Sequence, residues 1–207
     1  MSGRDPANRR SANDEGAIDR RLVAVLDACV LFAATPRDVL LELAAAGLYR
    51  PRWTERIHAE WTTSLSRVRP DIAPAKIDAL RRAIDASAPD CLVDGYQPLV
   101  SRLSLPDAED RHVLAAAIHC DADLVVTFNI RDFPKRQLAP YGLSAESPDR
   151  FILRLIAIAP DAVCEGLRRM RGRLRNPGYE AEELLDLIAR RGLPQTARKL
   201  RPRMERL

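Results

Sequence analysis

Three acidic side chains stand beside apolar segments in a pattern that can bind a metal ion. Asp27 follows the apolar run 22–26, Glu60 lies at the edge of the apolar stripe of TERIHAEW, and Asp110 lies on the apolar side of the helical segment PDAEDRHVLAAAI. Carboxylate oxygens are ligands that Mg²⁺ and Mn²⁺ prefer. Since three carboxylates in one poorly solvated cleft cannot all stay ionised without a cation, convergence of these acids predicts a divalent-metal site.

The two helical acids also have purely structural interpretations. Asp107 and Asp110 have the spacing of a capping box, and the helix dipole favours acids near a helix N-terminus. Glu60 taken alone is typical of a half-exposed surface residue. The origin of Asp27, Glu60 and Asp110 in three separate elements favours the metal site over these alternatives.

Strands alternate with helices along the first 150 residues. Apolar runs at 22–27 and 122–129 predict strands covered on both faces, and shorter extended pieces lie at 49–53 and near 142–147. Helices are predicted at 35–47, with Thr35 as cap and Pro36 in the first position, and at 54–65, 70–88 and 107–120. This alternation predicts an α/β fold, a three-layer α/β/α sandwich with a mostly parallel sheet, because right-handed crossovers place helices on both faces.

The predicted strands bring polar side chains to one edge of the sheet. Asp27 and Asn129 end the two main strands, and ligands of open α/β sheets gather at the carboxyl ends of strands. Thr127 precedes Asn129, and Asp132 follows it by three residues. We expect Thr127 to hydrogen-bond a ligand carboxylate or a water molecule there, although it also suits a plain strand position.

Three regions are predicted along the chain. Residues 1–20 are polar with mixed charge and predict a flexible N-terminal tail, and residues 21–150 form the α/β domain. Residues 151–207 carry helical patterns without a further strand pattern, and predict a C-terminal extension of two or three helices.

The charge is unevenly distributed. The net charge is +4, but residues 168–207 contain 12 Lys and Arg against 5 Asp and Glu. Arginine binds phosphate through its planar fork, so this basic end is a candidate contact for nucleic acid. A GC-rich genome is an equally good explanation of the arginine excess, though less so of its clustering.

Several other classes of protein are disfavoured. No apolar run approaches the roughly 20 residues that span a bilayer, and the N-terminus lacks the apolar core of a secretory signal, so we expect a cytoplasmic protein with no membrane contact. The four cysteines have no metal-like spacing and predict reduced, packed thiols rather than a zinc site. The dispersed glycines provide no phosphate-cradling loop, which disfavours nucleotide hydrolysis.

Four segments together carry a family resemblance. VLDACVLF, TERIHAEW, PDAEDRHVLAAAI and ADLVVTFNIRDFP resemble a PIN domain, the fold of VapC-type toxin nucleases, over about residues 22–150. The segment NPGYEAEELLDLIARRGLP resembles a longer subgroup of that family. The resemblance implies an Mg²⁺- or Mn²⁺-dependent endoribonuclease, the toxin of a type II toxin–antitoxin pair. It also implies RNA as the substrate, a cognate antitoxin as partner and a homodimer.

The resemblance assigns roles to individual residues. Asp27, Glu60 and Asp110 correspond to the first, second and third metal ligands. Asn129 stands where many relatives have a fourth acid; its amide removes one negative charge, which leaves a second metal ion open. Asp132 either compensates or caps the following turn, and Asp107 is a reserve acid.

Neighbouring residues are candidates for contacts with substrate or partner. Arg111 and His112 flank Asp110 and either contact substrate phosphate or lie on a solvated helix face. The apolar faces of RDVLLELAAAGLY and HAEW are candidate surfaces for an antitoxin helix.

Two rival functions remain open from the sequence. One is a DNA-directed nuclease on the same scaffold. The other is a catalytically inactive regulator that binds nucleic acid without turnover, which the amide of Asn129 favours.

Overall fold

A four-stranded parallel sheet forms the centre of the fold. The computed structural model of the chain describes residues 21–174 and 178–207, and the predicted tail, 1–20, lies outside the described residues. The strands are β1 (Leu22–Leu26), β2 (Tyr49–Arg52), β3 (Leu124–Val126) and β4 (Ser144–Glu146). Their order is β2-β1-β3-β4, and every neighbouring pair is parallel. Leu26 pairs with Val126, so the residues that follow β1 and β3 leave the sheet side by side.

Helices surround this sheet and complete the predicted α/β/α sandwich, which is confirmed. They are α1 (Ala28–Phe32), α2 (Ala34–Ala45), α3 (Glu55–Val68), α4 (Pro74–Ala86), α5 (Gln97–Val100), α6 (Arg111–His119), α7 (Lys135–Leu138), α8 (Pro148–Ile158), α9 (Pro160–Arg173), α10 (Ala181–Arg190) and α11 (Pro194–Leu200). Short 3-10 helices cover Ile130–Asp132, Ala139–Tyr141 and Arg201–Arg206. Among the described residues, no helix combines the length and apolarity needed to cross a bilayer.

The start of α2 differs from the prediction. The helix begins at Ala34 rather than after a Thr35 cap, and Pro36 is its third residue. The reason is the unpredicted helix α1, which ends at Phe32 and leaves only Ala33 between the two helices. Pro36 is tolerated because the N–H groups of a first helical turn have no intrahelical partner.

The predicted capping box of α6 does not form. Asp107 Oδ1 accepts a hydrogen bond from the backbone N–H of Glu109 at 2.9 Å, so the chain turns before the helix. The helix begins at Arg111, and the side chain of Asp110 makes no capping hydrogen bond. Asp110 is therefore not explained by a capping role.

Two other boundaries differ from the predictions, whereas the predicted cap of α3 is confirmed. Helix α4 begins at Pro74 rather than at residue 70. Proline favours the first position of a helix and disfavours a helical conformation in the residue before it, so the helix cannot extend further towards the N-terminus. Strand β3 ends at Val126, three residues before the predicted end. Thr54 caps α3, as its hydroxyl oxygen accepts from the N–H of Ile57 at 3.1 Å.

The described residues of the C-terminal extension include four α-helices, α8 to α11, rather than two or three. Helix α9 packs against α2, whose side chains Val39, Leu40 and Leu43 are fully buried. The prediction that this apolar face binds an antitoxin helix is therefore wrong, because helices of the same chain cover it. The HAEW face is closed too, since His58 and Trp61 are buried.

The core continues from the sheet into the extension. Buried residues of α8 to α11 belong to the same hydrophobic cluster as those of β1 and β3. A boundary at residue 150 stays a prediction.

Candidate metal centre

Asp27 lies where β1 ends and is only 5% exposed. Its Oδ1 accepts a hydrogen bond from the N–H of Ala28, the first residue of α1, at 2.6 Å. Its Oδ2 accepts from the hydroxyl of Thr127 at 2.6 Å and from the thiol of Cys29 at 3.1 Å. All three donors are neutral, so they fix the carboxylate without cancelling its charge.

Thr127 is itself held in place by the backbone that follows β3. Its N–H donates to the carbonyl of Glu146 on β4 at 3.0 Å, and its hydroxyl oxygen accepts from the N–H of Asn129 at 3.0 Å. The single hydroxyl proton is therefore left for Asp27. The expected hydrogen bond between Thr127 and a candidate ligand is present in the structure.

Cys29 was not among the residues that the sequence pattern indicated. Burial, and then the neighbouring charge of Asp27, raise the pKa of its thiol to about 12, so it stays protonated and can donate. Its sulfur also accepts from the N–H of Phe128 at 3.3 Å. Its position two residues after Asp27 could have indicated this contact. It was missed because helix α1, whose first turn contains Cys29, is not predicted by the sequence pattern.

Asp110 occupies a less favourable environment than Asp27. Burial raises the pKa of its carboxyl to about 6, and the charges of Asp27, Asp107 and Asp132 add to this effect. His112 acts in the opposite sense. The structure thus brings Asp27, Asp107 and Asp132 within electrostatic reach of Asp110.

Basic side chains do not balance the centre of this cluster. Within residues 21–174 and 178–207, no Arg, Lys or His lies within ion-pairing distance of Asp27, Asp107 or Asp110. Asp132 lies 3.7 Å from the guanidinium of Arg131, whose side chain is 89% exposed and therefore well screened.

Glu60 lies beside the cluster with different partners. Its Oε1 lies 2.9 Å from Nε2 of the buried His112 and accepts from Nε of Arg56 at 3.1 Å. Burial alone raises the pKa of Glu60, but these two partners outweigh it and hold the pKa below its ordinary range. Arg56 also binds Glu109 at 2.6 Å, so Glu60 belongs to a network that ties α3 to the residues before Asp110.

The remaining candidates divide between surface and interior. The side chain of Asn129 is exposed, and Arg111 is half-buried. His112 is buried, so it does not lie on a solvated helix face, and its Nδ1 has no partner among the described residues.

The chemistry of the aspartate cluster fits a hard divalent cation. The four carboxylates offer oxygen donors, and a cation relieves the repulsion that raises the pKa of Asp110. Across the described part of the chain, however, no three His, Cys, Asp or Glu side chains lie close enough to bind one ion together. The aspartates therefore raise the pKa of Asp110 through their charge, but they do not form a preassembled set of metal ligands.

Comparison with known proteins agrees with this architecture. The family model described as PIN domain matches residues 23–131, which is more than half of the chain. The chain belongs to the PIN domain family. A second model, described as the VapC50 C-terminal domain, matches residues 148–202 of this PIN protein.

A curated relative covers the PIN domain. The protein named "Putative ribonuclease VapC50", from Mycobacterium tuberculosis (strain ATCC 25618 / H37Rv), is 34% identical over 107 residues. The match covers 52% of this chain and 62% of that protein, so it spans less than two thirds of the relative's length. No solved structure gives a significant match.

The basic extension of this PIN protein is partly neutralised. Within residues 168–207, six arginines form ion pairs in the described structure: Arg168, Arg169, Arg171, Arg173, Arg201 and Arg206. Arg190 and Arg191 are exposed and have no acidic partner among the described residues. The local excess of positive charge is therefore concentrated on fewer side chains than the sequence suggests.

Proposed function

We propose that this PIN protein is a divalent-metal-dependent endoribonuclease that hydrolyses the phosphodiester bonds of RNA. The observation that carries the proposal is the cluster of Asp27, Asp107, Asp110 and Asp132, in which repulsion between carboxylates contributes to a pKa of about 6 for Asp110. RNA as the substrate class is supported by the name of the curated relative.

Asp27 and Asp110 are the proposed ligands of Mg²⁺ or Mn²⁺. When bound there, such an ion would supply positive charge for the activation of water and the stabilisation of the leaving oxygen of the phosphodiester. Ala28 and Thr127 hold the carboxylate of Asp27 in one orientation through two short hydrogen bonds. Asp107 and Asp132 provide further acceptors that can orient water at this edge of the sheet.

Glu60 is the second of the three metal ligands expected from the sequence, but its present contacts support a different role. Because its Oε1 is engaged by His112 and Arg56, Glu60 positions the first turn of α6 and, through it, Asp110. We therefore rank Glu60 below Asp27 and Asp110 as a ligand.

Replacement of Asp27 or Asp110 by Asn tests the proposed reaction. Each variant keeps the size of the side chain but removes a charged metal ligand, so we expect Mn²⁺-dependent cleavage of single-stranded RNA to fall by at least about 100-fold. Cleavage is followed by gel electrophoresis, with circular dichroism to verify the fold. The matched control is Asp78→Asn, an exposed acid on α4, which should cleave at the normal rate.

Undiminished cleavage by Asp27→Asn would refute the mechanism. A Glu60→Gln variant belongs in the same series. If Mn²⁺ titration calorimetry shows that this variant binds the ion as the unsubstituted chain does, Glu60 is a positioning residue; loss of binding assigns it as a ligand.

A regulator that binds nucleic acid without turnover is the second candidate. It is favoured by Asn129 in place of an acid and by the lack of three convergent ligands in the described chain. Absence of heat on titration with millimolar Mn²⁺ would support this alternative. Parallel assays with RNA and DNA of the same sequence separate the ribonuclease from a DNA-directed nuclease.

Membership of the PIN domain family supports a proposal for the biological setting. We propose a cytoplasmic toxin of a type II toxin–antitoxin pair, neutralised by a cognate antitoxin and able to form a homodimer. Since the faces of α2 and α3 that the sequence indicated are buried, the antitoxin must contact another surface. Co-purification with the product of a small neighbouring gene tests the pairing.

A further inference from the structure

The turn between α10 and α11 lies against the residue that follows Thr127. A Cβ atom placed on Gly192 would lie 3.4 Å from Cε1 and 3.7 Å from Cζ of Phe128. Phe128 is nevertheless 40% exposed, an unusual position for a large aromatic side chain beside a cluster of acids. The extension thus borders the candidate metal centre.

Backbone hydrogen bonds fix this turn. Gly192, with φ of +98°, donates its N–H to Ala189, and Leu193 donates to Ile188 at 3.0 Å, which is the pattern of a Schellman motif. The buried side chain of Leu193 then anchors the turn in the core. The exposed Arg191, one residue before Gly192, is therefore presented from a rigid backbone.

The turn is also tied to the sheet. Asp149, near the start of α8, accepts hydrogen bonds from the N–H groups of Gln195 and Thr196 at 3.0 and 2.8 Å. Helix α8 directly follows β4, the neighbour of β3. The position of the extension relative to Phe128 is consequently set by the sheet whose strand β1 ends next to Asp27.

A groove of about 760 Å³ lies between these elements, within the size range of small-ligand sites. Its lining includes Ile130, Arg150 and Gln195. Glu146 also lines it, but Arg154 lies 3.2 Å from that carboxylate and neutralises it. The exposed Arg150 has no acidic partner in the part of the chain that the structure describes.

We propose that this groove and Phe128 form a subsite for the nucleotides of single-stranded RNA next to the cleaved bond. A base stacks on the exposed face of Phe128, and the guanidinium groups of Arg150 and Arg191 bind backbone phosphates. Single-stranded nucleic acid is the ligand class that combines stackable bases with a phosphate charge at every residue, and RNA is the substrate in the proposed function. This inference rests on the proposed function, since it takes the aspartates as the site of cleavage.

Binding of RNA in EDTA separates the subsite from catalysis. A labelled single-stranded RNA is titrated with the full chain and followed by fluorescence anisotropy, and a 2-aminopurine base reports stacking through the loss of its emission. We expect Phe128→Ala to raise the Kd about tenfold and to abolish the loss of emission, because each stacked base contributes strongly to affinity. The matched control is Tyr141→Ala, an exposed aromatic that precedes β4 and so lies at the opposite end of the strands.

The arginines have a separate readout. Arg150→Gln and Arg191→Gln should each lower the dependence of log Kd on log salt by about 0.7, the value for one phosphate contact on a single strand. Arg82→Gln, on the exposed face of α4, should leave the slope unchanged.

Equal affinities of Phe128→Ala and Tyr141→Ala would overturn the subsite, as would the absence of RNA binding by the unsubstituted chain. Cleavage with Mn²⁺ then reports on the proposed function independently. If the Phe128→Ala variant cleaves RNA with an unchanged KM, the nuclease proposal stands and the subsite proposal is refuted. If RNA binding depends on Phe128 but no cleavage is observed, the subsite proposal stands and the nuclease proposal is refuted.

Discussion

Asp27 and Asp110 belong to the same acidic cluster, yet their environments differ. Asp27 receives hydrogen bonds from Ala28, Cys29 and Thr127, whereas Asp110 has no capping hydrogen bond and three acidic neighbours. An ionised Asp110 therefore opposes folding unless a cation is present. Such local cost is common at functional sites.

This cost predicts a stability gain in Asp110→Asn without metal. Because the pKa in the folded chain, about 6, lies above the ordinary 3.8, the stability of the native protein falls as pH rises through this interval. Asn cannot ionise, so we expect the variant to be more stable by about 1–2 kcal/mol at pH 7.5, after allowance for solvent screening. Thermal unfolding in EDTA should show a Tm about 4 °C higher.

Two further measurements make this prediction specific. The gain should shrink as the pH is lowered and vanish below the ordinary pKa of 3.8, where Asp110 is protonated in both the folded and the unfolded chain, and it should be absent in Asp78→Asn. Mn²⁺ should raise the Tm of the unsubstituted chain but not that of Asp110→Asn. A variant that is less stable at both pH values would show that Asp110 has a structural role instead.

At the scale of elements, the turn between α10 and α11 depends on Gly192. Its φ of +98° is unfavourable for any residue with a Cβ, and an added methyl group would meet Phe128 at 3.4 Å. We expect Gly192→Ala to lower the free energy of unfolding by about 1–2 kcal/mol, measured by urea denaturation.

Gly172 provides the matched control. It lies in α9, has an ordinary φ, and an added Cβ would meet no atom within 4 Å. Gly172→Ala should therefore be neutral or stabilising by up to about 1 kcal/mol. Equal effects of the two substitutions would mean that the turn is not conformationally restricted.

At the scale of the whole molecule, Glu42 joins the α/β domain to the extension. Its buried carboxylate on α2 accepts from Arg169 at 2.9 Å and from Arg173, both on α9. The helices approach closely here, since a Cβ on Gly166 would lie 3.4 Å from Glu42 Cγ. The extension is thus docked by buried charge as well as by apolar packing.

Glu42→Gln should lower the free energy of unfolding by about 2 kcal/mol, because it removes charge-assisted hydrogen bonds in a buried location. Glu165→Gln, which removes exposed pairs with Arg168 and Arg169 within α9, should change it by less than about 0.5 kcal/mol. Urea unfolding of both variants checks the difference. If Glu42→Gln costs no more than Glu165→Gln, the buried pair does not hold the extension.

The sequence alone determined the features that depend on neighbours a few residues apart. Apolar runs and periodic helices predicted the parallel α/β/α fold, and the Thr54 cap followed from hydrogen bonding within one turn. The same local patterns indicated Asp27 and Asp110 as candidate ligands and identified the family. The local patterns did not predict how α2 and α6 begin. In both cases the segment before the helix has no periodic pattern, yet its conformation sets the first helical residue.

Only the tertiary structure decided which distant side chains meet. It placed Glu60 against His112, covered the apolar face of α2 with α9, and brought Gly192 to Phe128, 64 positions away in the sequence. The physical reason is that helix periodicity fixes which face of an element is buried but not which element buries it. That choice depends on how the packed helices fill the space around the sheet, and it sets both the partners of each carboxylate and the surfaces left for RNA.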